Sequence, residues 1–416
     1  MKIKIESLGC RLNQSEIESV STTLQNMGHV IVRSGEADIY IINSCAVTGR
    51  SERKARQLIY RAIEKTGGND RGRIIVTGCA TEPVKKDNNI TYVSNDHKYL
   101  IPEIVRGGAS GYEKMKAARF GFDAPLKCST NRINLKIQDG CDNFCSYCII
   151  PFMRGKPQSR SYNDIISEFS LLLENSYKEI ILTGVNIGKY CDNGKDLGAL
   201  IRGILELDGT FRLHLTSLDP DCAPDELLSL FSDPRMVRHL HLSLQSGSDT
   251  VLRRMNRPYT RADYLRAVNK LKSVDTDFNF TTDIIVGFPG ESEEEFNDSV
   301  SLVREAGFSH IHTFRYSPRP GTRAESMDDA VPEIVKTERS REIISLHMEQ
   351  KNLFYKRFSG RNGIFLSEKF RNGVTTGFNE YYVPVEVQQK LPRNEFFTVR
   401  TGYTEKSYKL RGEIIS

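Results

Sequence analysis

Three cysteines within eight residues form the sharpest chemical feature of the sequence. Cys141, Cys145 and Cys148 are separated by three and two residues, directly after the β-type run INLKIQDG. This spacing lets three thiolates of one loop converge on a single centre, and soft thiolates select zinc or iron–sulfur clusters. A structural zinc site needs a fourth ligand, but no Cys or His closely follows Cys148. An iron–sulfur cluster with one open iron is therefore favoured over an incomplete zinc knuckle or three unconnected thiols.

Three further cysteines each stand just beyond a predicted strand. Cys10 follows KIKIESLG, Cys45 follows IYIINS and Cys79 follows IIVTG. Because parallel strands end at one edge of a sheet, where ligands bind, thiols far apart in sequence can meet there. Each cysteine alone is typical of a buried core position, but three equivalent positions favour a shared site. The remaining three have no partners at metal-ligand spacing and are interpreted as structural: Cys128, Cys191 and Cys222.

Composition argues against a membrane-spanning, secreted or disulfide-rich protein. The chain has 416 residues, of which 38% are hydrophobic and 27% charged, as is typical of an ordinary folded protein. No apolar run is long enough for a spanning helix, and the opening MKIKIESLGC is charged where a secretory signal is apolar. We therefore expect a cytoplasmic protein that does not associate with membranes. An odd count of nine cysteines in such a chain argues against a disulfide framework.

The positive charge of the chain lies at one end. Residues 356–416 contain 11 Lys and Arg against 6 Asp and Glu, and the preceding residues balance to zero. A small basic tail on a neutral body predicts a polyanionic partner, with nucleic acid the leading candidate. The tail is also rich in aromatic residues, which include Phe370, Phe378, Tyr381, Tyr382, Phe396 and Tyr403. About half of these rings should fill the core of a small barrel, and the others are available to stack on RNA bases.

Strand and helix signals alternate along most of the chain, which predicts an α/β protein with parallel sheets. An N-terminal domain, 1–112, has strands predicted at 2–7, 38–44, 73–78 and 90–96. An irregular linker follows, at about 108–130. The central domain, 127–355, has six strand–helix units and predicts a partial (β/α)6 barrel with its active site at the carboxyl ends of the strands. Those strands are predicted at 133–138, 179–184, 212–217, 239–245, 278–288 and 310–316.

The tail, 356–416, has a different pattern. Its short β-type runs lie around two Asn-Gly dipeptides, Asn362–Gly363 and Asn372–Gly373. Asn-Gly between β-type runs is a strong hairpin signal. We expect a small antiparallel β-barrel here.

The Cys-x3-Cys-x2-Cys spacing, with Tyr147 before the last cysteine, resembles the signature of the radical S-adenosylmethionine (SAM) superfamily. The resemblance implies a [4Fe–4S] cluster on Cys141, Cys145 and Cys148 whose open iron chelates SAM, with Tyr147 against the adenine. Electron transfer from that cluster would cleave the sulfonium and release a 5′-deoxyadenosyl radical.

Four strings together resemble the methylthiotransferase family of these enzymes, essentially from end to end: SLGCRLNQSEIE, NSCAVTGRSERKARQ, VTGCA and QDGCDNFCSYCIIPFMRGKPQSR. The resemblance implies an N-terminal methylthiotransferase domain, a radical SAM domain and a C-terminal TRAM domain. It also implies that Cys10, Cys45 and Cys79 hold a second, auxiliary [4Fe–4S] cluster. One SAM would methylate a sulfur on that cluster and another would supply the radical, so both open irons must face one substrate pocket.

Turns at the ends of other barrel strands are expected to bind SAM. As isolated strings they are typical of ordinary strand–helix connections, and the resemblance favours a role in the pocket. The SAM-binding residues so assigned are Tyr147, Thr183, Gly184, Ser217, Gln245, Gly287 and Pro289. Two basic groups are either solvated surface or phosphate contacts: Arg154, Lys156 and Arg160, and Arg253, Arg254 and Arg257. His214, His239 and His241 lie in strand sequences, where packing is the default interpretation.

Family substrates are tRNA adenosine 37 with an N6-isopentenyl or N6-threonylcarbamoyl group, and an aspartate of a ribosomal protein. The sequence around Cys10 lacks the Gly-Cys-Gln-Met-Asn of the isopentenyl branch and the Gly-Cys-Pro-Lys-Asn of the ribosomal branch, and most resembles the threonylcarbamoyl branch. That branch implies C2 methylthiolation and contact with the tRNA anticodon stem-loop. We also expect an electron donor such as flavodoxin or ferredoxin, and take a monomer as the default state. The alternatives are the other two substrates, a non-catalytic iron–sulfur RNA-binding sensor, and a zinc-only RNA-binding module.

Overall fold

The structure is a computed structural model that describes residues 1–66, 73–79, 89–107, 111–127, 131–405 and 408–415. It confirms the α/β class, with an N-terminal parallel sheet, a curved central sheet and a closed C-terminal barrel. Cys128 and parts of the predicted linker lie outside the described residues. Within these ranges, no helix is both long and apolar enough to cross a membrane.

The N-terminal sheet has five parallel strands, in the order β2 (Val30–Val32), β1 (Lys2–Ser7), β3 (Ile39–Ser44), β4 (Arg73–Gly78) and β5 (Ile90–Val93). Strand β3 is buried along its whole length, since Ile39 and Ile41 pack into one apolar cluster and Tyr40 and Ile42 into another on the opposite face. The four predicted strands are confirmed with slightly different ends, and the short edge strand β2 was missed. The elements are β1 (Lys2–Ser7), α1 (Arg11–Asn26), β2 (Val30–Val32), β3 (Ile39–Ser44), α2 (Gly49–Thr66), β4 (Arg73–Gly78), β5 (Ile90–Val93) and α3 (Ile101–Arg106).

The central region forms the predicted partial barrel. Its third strand bends, so that Arg212–Leu215 pairs with the second strand and Ser217–Leu218 with the fourth, which joins two sheets into one curved wall. Its elements are β6 (Arg132–Lys136), β7 (Gln138–Asp139), α4 (Ile150–Arg154), β8 (Gln158–Ser159), α5 (Tyr162–Glu174), β9 (Glu179–Thr183), β10 (Cys191–Asp192), β11 (Lys195–Asp196), α6 (Leu197–Leu205), β12 (Arg212–Leu215), β13 (Ser217–Leu218), α7 (Asp225–Ser229), β14 (His239–Leu242), α8 (Asp249–Arg254), α9 (Arg261–Val274), β15 (Asn279–Val286), α10 (Glu293–Ala306), β16 (His310–Arg315) and α11 (Glu333–Lys356).

The tail closes into a five-stranded barrel in which only the β19–β21 pair is parallel. Asn372–Gly373 makes the predicted hairpin turn, with φ of 52° and 80°. The hairpin predicted at Asn362–Gly363 is wrong: these residues begin β17, because the chain before them is the end of α11 rather than a strand. The strands are β17 (Asn362–Arg371), β18 (Val374–Asn379), β19 (Pro384–Val387), β20 (Phe396–Tyr403) and β21 (Leu410–Ile414).

The tail barrel packs against the amino ends of the central strands. Phe378 and Tyr382 stack with ring centroids 4.5 Å apart, and the Arg132 guanidinium lies 4.3 Å above the Phe378 ring. Of the six aromatic residues singled out in the tail, Phe370 is exposed and the other five are half-buried. The basic side chains of the tail that the structure describes are all exposed. Charge, more than aromatic rings, therefore characterises the outer surface of the tail.

Candidate functional site

The loop with Cys141, Cys145 and Cys148 begins directly after β7 and folds back on α4. The Cys141 backbone N–H donates to the Gly155 carbonyl at 3.0 Å, and the Cys148 N–H donates to the Cys145 carbonyl at 2.9 Å. Gly140, which precedes Cys141, has a φ of +76°, and a Cβ there would overlap the Lys156 carbonyl. Only glycine suits this position, so the residue before the first cysteine determines how tightly the loop turns.

The sulfur atoms of this loop accept hydrogen bonds. The Asn143 N–H donates to Cys141 Sγ at 3.5 Å, and Arg257 Nη1 donates to Cys145 Sγ at 3.1 Å. Burial raises the pKa of Cys141, and raises that of Cys148 to about 12. The Cys148 thiol therefore keeps its proton at neutral pH unless a metal replaces it. Arg257, proposed as solvated or phosphate-binding, is instead buried and also ion-paired with Asp219.

The structure brings Cys10, Cys45 and Cys79 together at the carboxyl edge of the N-terminal sheet. A Cβ on Gly9, the neighbour of Cys10, would lie 3.1 Å from Cys45 Sγ. Burial raises the pKa of Cys45, and the nearby Cys79 and Cys10 raise it further. Cys45 and Cys79 are buried and Cys10 is exposed. Cys10 and Cys79 thus lie near Cys45, each just after a different strand, and a shared metal site at these three cysteines stays a prediction.

The donor set of both sites suits an iron–sulfur cluster. No group of three His, Cys, Asp or Glu among the described residues is arranged to hold a single metal ion. Cys10 and Cys79 still lie close enough to Cys45 to raise its pKa, as Cys141 and Cys145 do for Cys148. Iron–sulfur clusters with several irons are bound by cysteine sulfurs alone, and backbone N–H groups commonly donate to those sulfurs. Both sites offer this kind of environment.

A buried network of charged side chains connects the two cysteine sites. Glu16 accepts from Lys98 at 2.5 Å, from Lys136 at 2.7 Å and from Arg154 at 3.0 Å. Arg154 also pairs with Asp139 at 2.9 Å, and Asp139 accepts from the N–H of Gly140, the neighbour of Cys141. Helix α1 of the N-terminal region is thereby joined to the loop of the central barrel.

The network carries an excess positive charge. Burial opposes ionisation of Glu16, yet Arg154, Lys136 and Lys98 together hold its pKa well below the usual range. Three cations face two carboxylates, and the cations Lys98 and Arg154 also interact electrostatically with Cys79. A site that gathers anionic thiolates is stabilised by such a neighbour. Sequence reasoning missed this network and misplaced Arg154; the available signal was Asn13, Glu16 and Ser19 on the buried face of α1.

The SAM-binding candidates fall into two groups at the carboxyl ends of the strands. Tyr147 packs edge-on against Phe288, with ring centroids 6.5 Å apart. Phe288 belongs to the turn that also contains Gly287 and Pro289. Gly287 has a φ of +69°, and its N–H donates to Glu291 at 2.6 Å. Gln245 stands at the end of the fourth strand with a φ of +65°, and its backbone bonds to Asp283 and Ile285.

The other group lines a cavity of about 730 Å³. Thr183, Gly184 and Ser217 lie on its wall together with Cys10. This volume falls within the range of about 300–1,000 Å³ that is usual for small-molecule sites. The cavity continues along the interior of the central barrel to a floor formed by α11 and the tail barrel, where Tyr355, Phe378 and Tyr382 line it.

Comparison with known proteins gives matches along the whole chain. A model of the radical SAM superfamily matches residues 135–303, and one described as uncharacterized protein family UPF0004 matches residues 2–96. A Thermotoga maritima protein named threonylcarbamoyladenosine tRNA methylthiotransferase MtaB is 38% identical over 96% of this chain and 94% of its own. A Bacillus subtilis protein of the same name is 37% identical over 83% of this chain and 80% of its own length. A Thermodesulfovibrio yellowstonii protein named tRNA-2-methylthio-N(6)-dimethylallyladenosine synthase is 31% identical over 100% of this chain and 99% of its own length.

Solved structures of similar fold are more distant in sequence. The radical SAM methyltransferase TsrM from Kitasatospora setae superposes with a TM-score of 0.58 at 13% identity, over 78% of this chain and 74% of its own. The cobalamin-dependent radical enzyme OxsB has a TM-score of 0.54 at 12% identity, over 84% of this chain and 61% of its own. These likenesses concern the fold alone.

Proposed function

The chain belongs to the methylthiotransferase family of radical SAM enzymes, and we propose that it adds a methylthio group to C2 of N6-threonylcarbamoyladenosine at position 37 of tRNA. SAM serves as both methyl donor and radical source. The observation that carries the proposal is the 38% identity over 96% of this chain to a relative named for threonylcarbamoyladenosine, against 31% over 100% to a relative named for dimethylallyladenosine. The isopentenyl-type substrate is the alternative within the family.

Two [4Fe–4S] clusters are the cofactors of this family, and the six cysteines would hold them. We assign Cys141, Cys145 and Cys148 to the SAM cluster, and the other set to the auxiliary cluster: Cys10, Cys45 and Cys79. When bound, these groups supply the electron that cleaves SAM and the sulfur that is transferred. The chain itself contributes ligands, hydrogen bonds to the sulfurs such as that from Arg257, and a rigid connection between the two sites through Glu16 and Arg154.

For SAM, we propose the turns at the carboxyl ends of the strands as the binding residues. Tyr147, held edge-on by Phe288, offers an aromatic surface within the cluster loop itself. The backbone of the glycine-containing turns lets a nucleoside approach closely. The same role extends to the other candidates at strand ends: Thr183, Gly184, Ser217, Gln245, Gly287 and Pro289.

Each of the three regions of the chain has a separate proposed role. We propose that residues 1–112 hold the auxiliary cluster, residues 127–355 generate the radical, and residues 356–416 act as a TRAM domain that binds the anticodon stem-loop. The exposed cations of the tail support the last point, because phosphate contacts supply most non-specific affinity for RNA. Flavodoxin or ferredoxin is the proposed electron donor, and a monomer in the cytoplasm is the proposed form.

Mass spectrometry of tRNA nucleosides tests the function directly. Anaerobically reconstituted protein, given SAM, a reductant and tRNA carrying N6-threonylcarbamoyladenosine, should form its 2-methylthio derivative. Formation of the product only with N6-isopentenyladenosine would overturn the substrate assignment in favour of the other branch. If neither product nor 5′-deoxyadenosine forms, the iron–sulfur sensor becomes the better account. Zinc without iron in the purified protein would favour the zinc-only module.

A further inference from the structure

One side of the cavity is a wall of histidines that the assigned roles do not use. His241, His310 and His312 line it with Thr281 and Asp283. The strand register places His241, Thr281 and His310 side by side on β14, β15 and β16, and Asp283 beside His312. Because side chains alternate along a strand, positions two apart point into the cavity together. We call His241, His310, His312 and the neighbouring Lys351 the histidine wall.

Such a wall is unusual for the interior of a barrel. Strand side chains of a (β/α) barrel normally fill its interior with branched apolar residues. Of the three histidines for which packing was the default interpretation, His214 and His239 fit it, since both are buried and their rings hydrogen-bond to each other at 2.8 Å. His241 and His310 are half-buried and His312 is exposed. His310 Nε2 lies 3.3 Å from His312 Nδ1, which leaves His310 Nδ1 and His312 Nε2 to meet a ligand in the cavity.

The wall offers the Lys351 ammonium and the imidazole groups of three histidines against a single carboxylate. Asp283 is the only acidic residue among the described residues that line the cavity, and it lies 3.6 Å from His241. Lys351 has no carboxylate partner within the described chain; its ammonium lies 5.5 Å and 5.3 Å from the centroids of the Tyr355 and Tyr408 rings. Burial lowers the pKa of Lys351, and burial with the nearby His312, His347 and Lys351 lowers that of His310 to about 3. An anion placed here would relieve both effects.

We propose that the histidine wall binds the free carboxylate of the amino-acid substituent on the target adenine, and thereby selects that substituent over an apolar one. The inference rests on the proposed function and adds to it the residues that read the N6 group. Lys351 supplies the charge, and His310 and His312 supply N–H donors. An apolar substituent would leave these groups desolvated and unpaired, which is how buried polar sites reject analogues that lack the matching group.

Three synthetic anticodon stem-loops test the wall by affinity. They carry, at position 37, adenosine, N6-threonylcarbamoyladenosine, or its carboxamide analogue, in which the carboxylate is neutral. Reconstituted full-length enzyme should bind the acid at least about 10-fold more tightly than the carboxamide, as expected when a charge-assisted hydrogen bond is lost. Lys351→Met and His312→Phe should each remove most of that preference for the acid over the carboxamide.

The matched control is Arg341→Met, which removes a cation from the same helix, α11, at an exposed position outside the cavity. It should keep the full preference for the acid. A wild-type enzyme that does not distinguish acid from carboxamide, or variants that keep the preference, would overturn the inference. Methylthiolation of the acid-bearing loop by wild-type enzyme is measured alongside, so failure of the subsite is distinguishable from failure of the proposed function.

Discussion

The two cysteine sites are built in opposite ways. Cys141, Cys145 and Cys148 come from one loop of eight residues, shaped by Gly140 and by hydrogen bonds within the loop and to α4. Cys10, Cys45 and Cys79 come from three strand ends, and they meet only because β1, β3 and β4 are neighbours in one sheet. Local geometry maintains the first site, whereas the second depends on the packing of a whole domain.

The difference extends to what surrounds each site. Arg257 reaches the loop directly, by a hydrogen bond to Cys145. At the N-terminal site, Lys98 and Arg154 act from a buried network whose members belong to both domains. We therefore expect the loop site to tolerate damage elsewhere in the chain, and the N-terminal site to be sensitive to it.

The largest effect should follow from Cys145→Ala. Removing one of three ligands from the loop should abolish 5′-deoxyadenosine formation as well as methylthio product, since neither proceeds without the SAM cluster. High-performance liquid chromatography of the anaerobic reaction measures both. Residual 5′-deoxyadenosine at the wild-type rate would show that this loop is not the radical source.

Cys45→Ala should separate the two sites. It should abolish the methylthio product yet retain 5′-deoxyadenosine formation, and iron content should fall by about half because one of two clusters is lost. Iron analysis and the same chromatographic assay check this. If cleavage of SAM were also lost while the protein stayed folded, the two sites would not be independent.

Glu16→Gln should destabilise the protein by about 3–5 kcal/mol, because it leaves buried cations without their carboxylate. The free energy of unfolding in urea, measured for the metal-free protein, gives the value. Glu103→Gln is the control, since Glu103 forms an exposed pair with Arg106 and should change stability by no more than about 0.5 kcal/mol. Equal effects of the two changes would mean that the network does not hold the domains together.

The smallest effect concerns an ion pair within the central barrel. Hydrogen bonds from Arg254 hold the pKa of Glu295 at about 2, below its ordinary value in the unfolded chain. The pair therefore stabilises the fold above about pH 4.3 and is lost as pH falls toward 2. Because the pair is partly solvated, Glu295→Gln should reduce the stability difference between pH 5 and pH 2.5 by only about 1 kcal/mol. Urea unfolding of metal-free protein at both values measures it; an unchanged pH dependence would contradict the assignment.

Much of the fold was predictable because its strands are strongly patterned. The run IYIINS is buried on both faces, and the alternation of strands with helices left few choices of topology. The prediction at Asn362–Gly363 was wrong because a turn signal depends on what precedes it, and here a helix does. The bend of the third barrel strand at Thr216 was not predicted either, since it arises from closure of the curved sheet.

The candidate site was predictable in part for a related reason. Residue type and spacing are enough to single out both sets of cysteines as candidate ligands in the sequence. Glu16, Lys98 and Arg154 are common surface residue types. The polar residues that share a helix face with Glu16 hint at its burial, but the spacing of the three does not show that they meet. His310 and His312 likewise carry no ligand pattern in sequence, and only the register of β15 and β16 places them beside Asp283 and Thr281.

The sequence by itself determined which atoms are available for chemistry and, through periodicity, which strand ends carry them. Only the tertiary structure decided which charges are buried between the domains and which side chains face the common cavity. The physical reason is range: spacing and hydrophobic period act over a few residues, whereas desolvation and pairing depend on neighbours brought together from more than a hundred positions away, as Glu16 and Arg154 are.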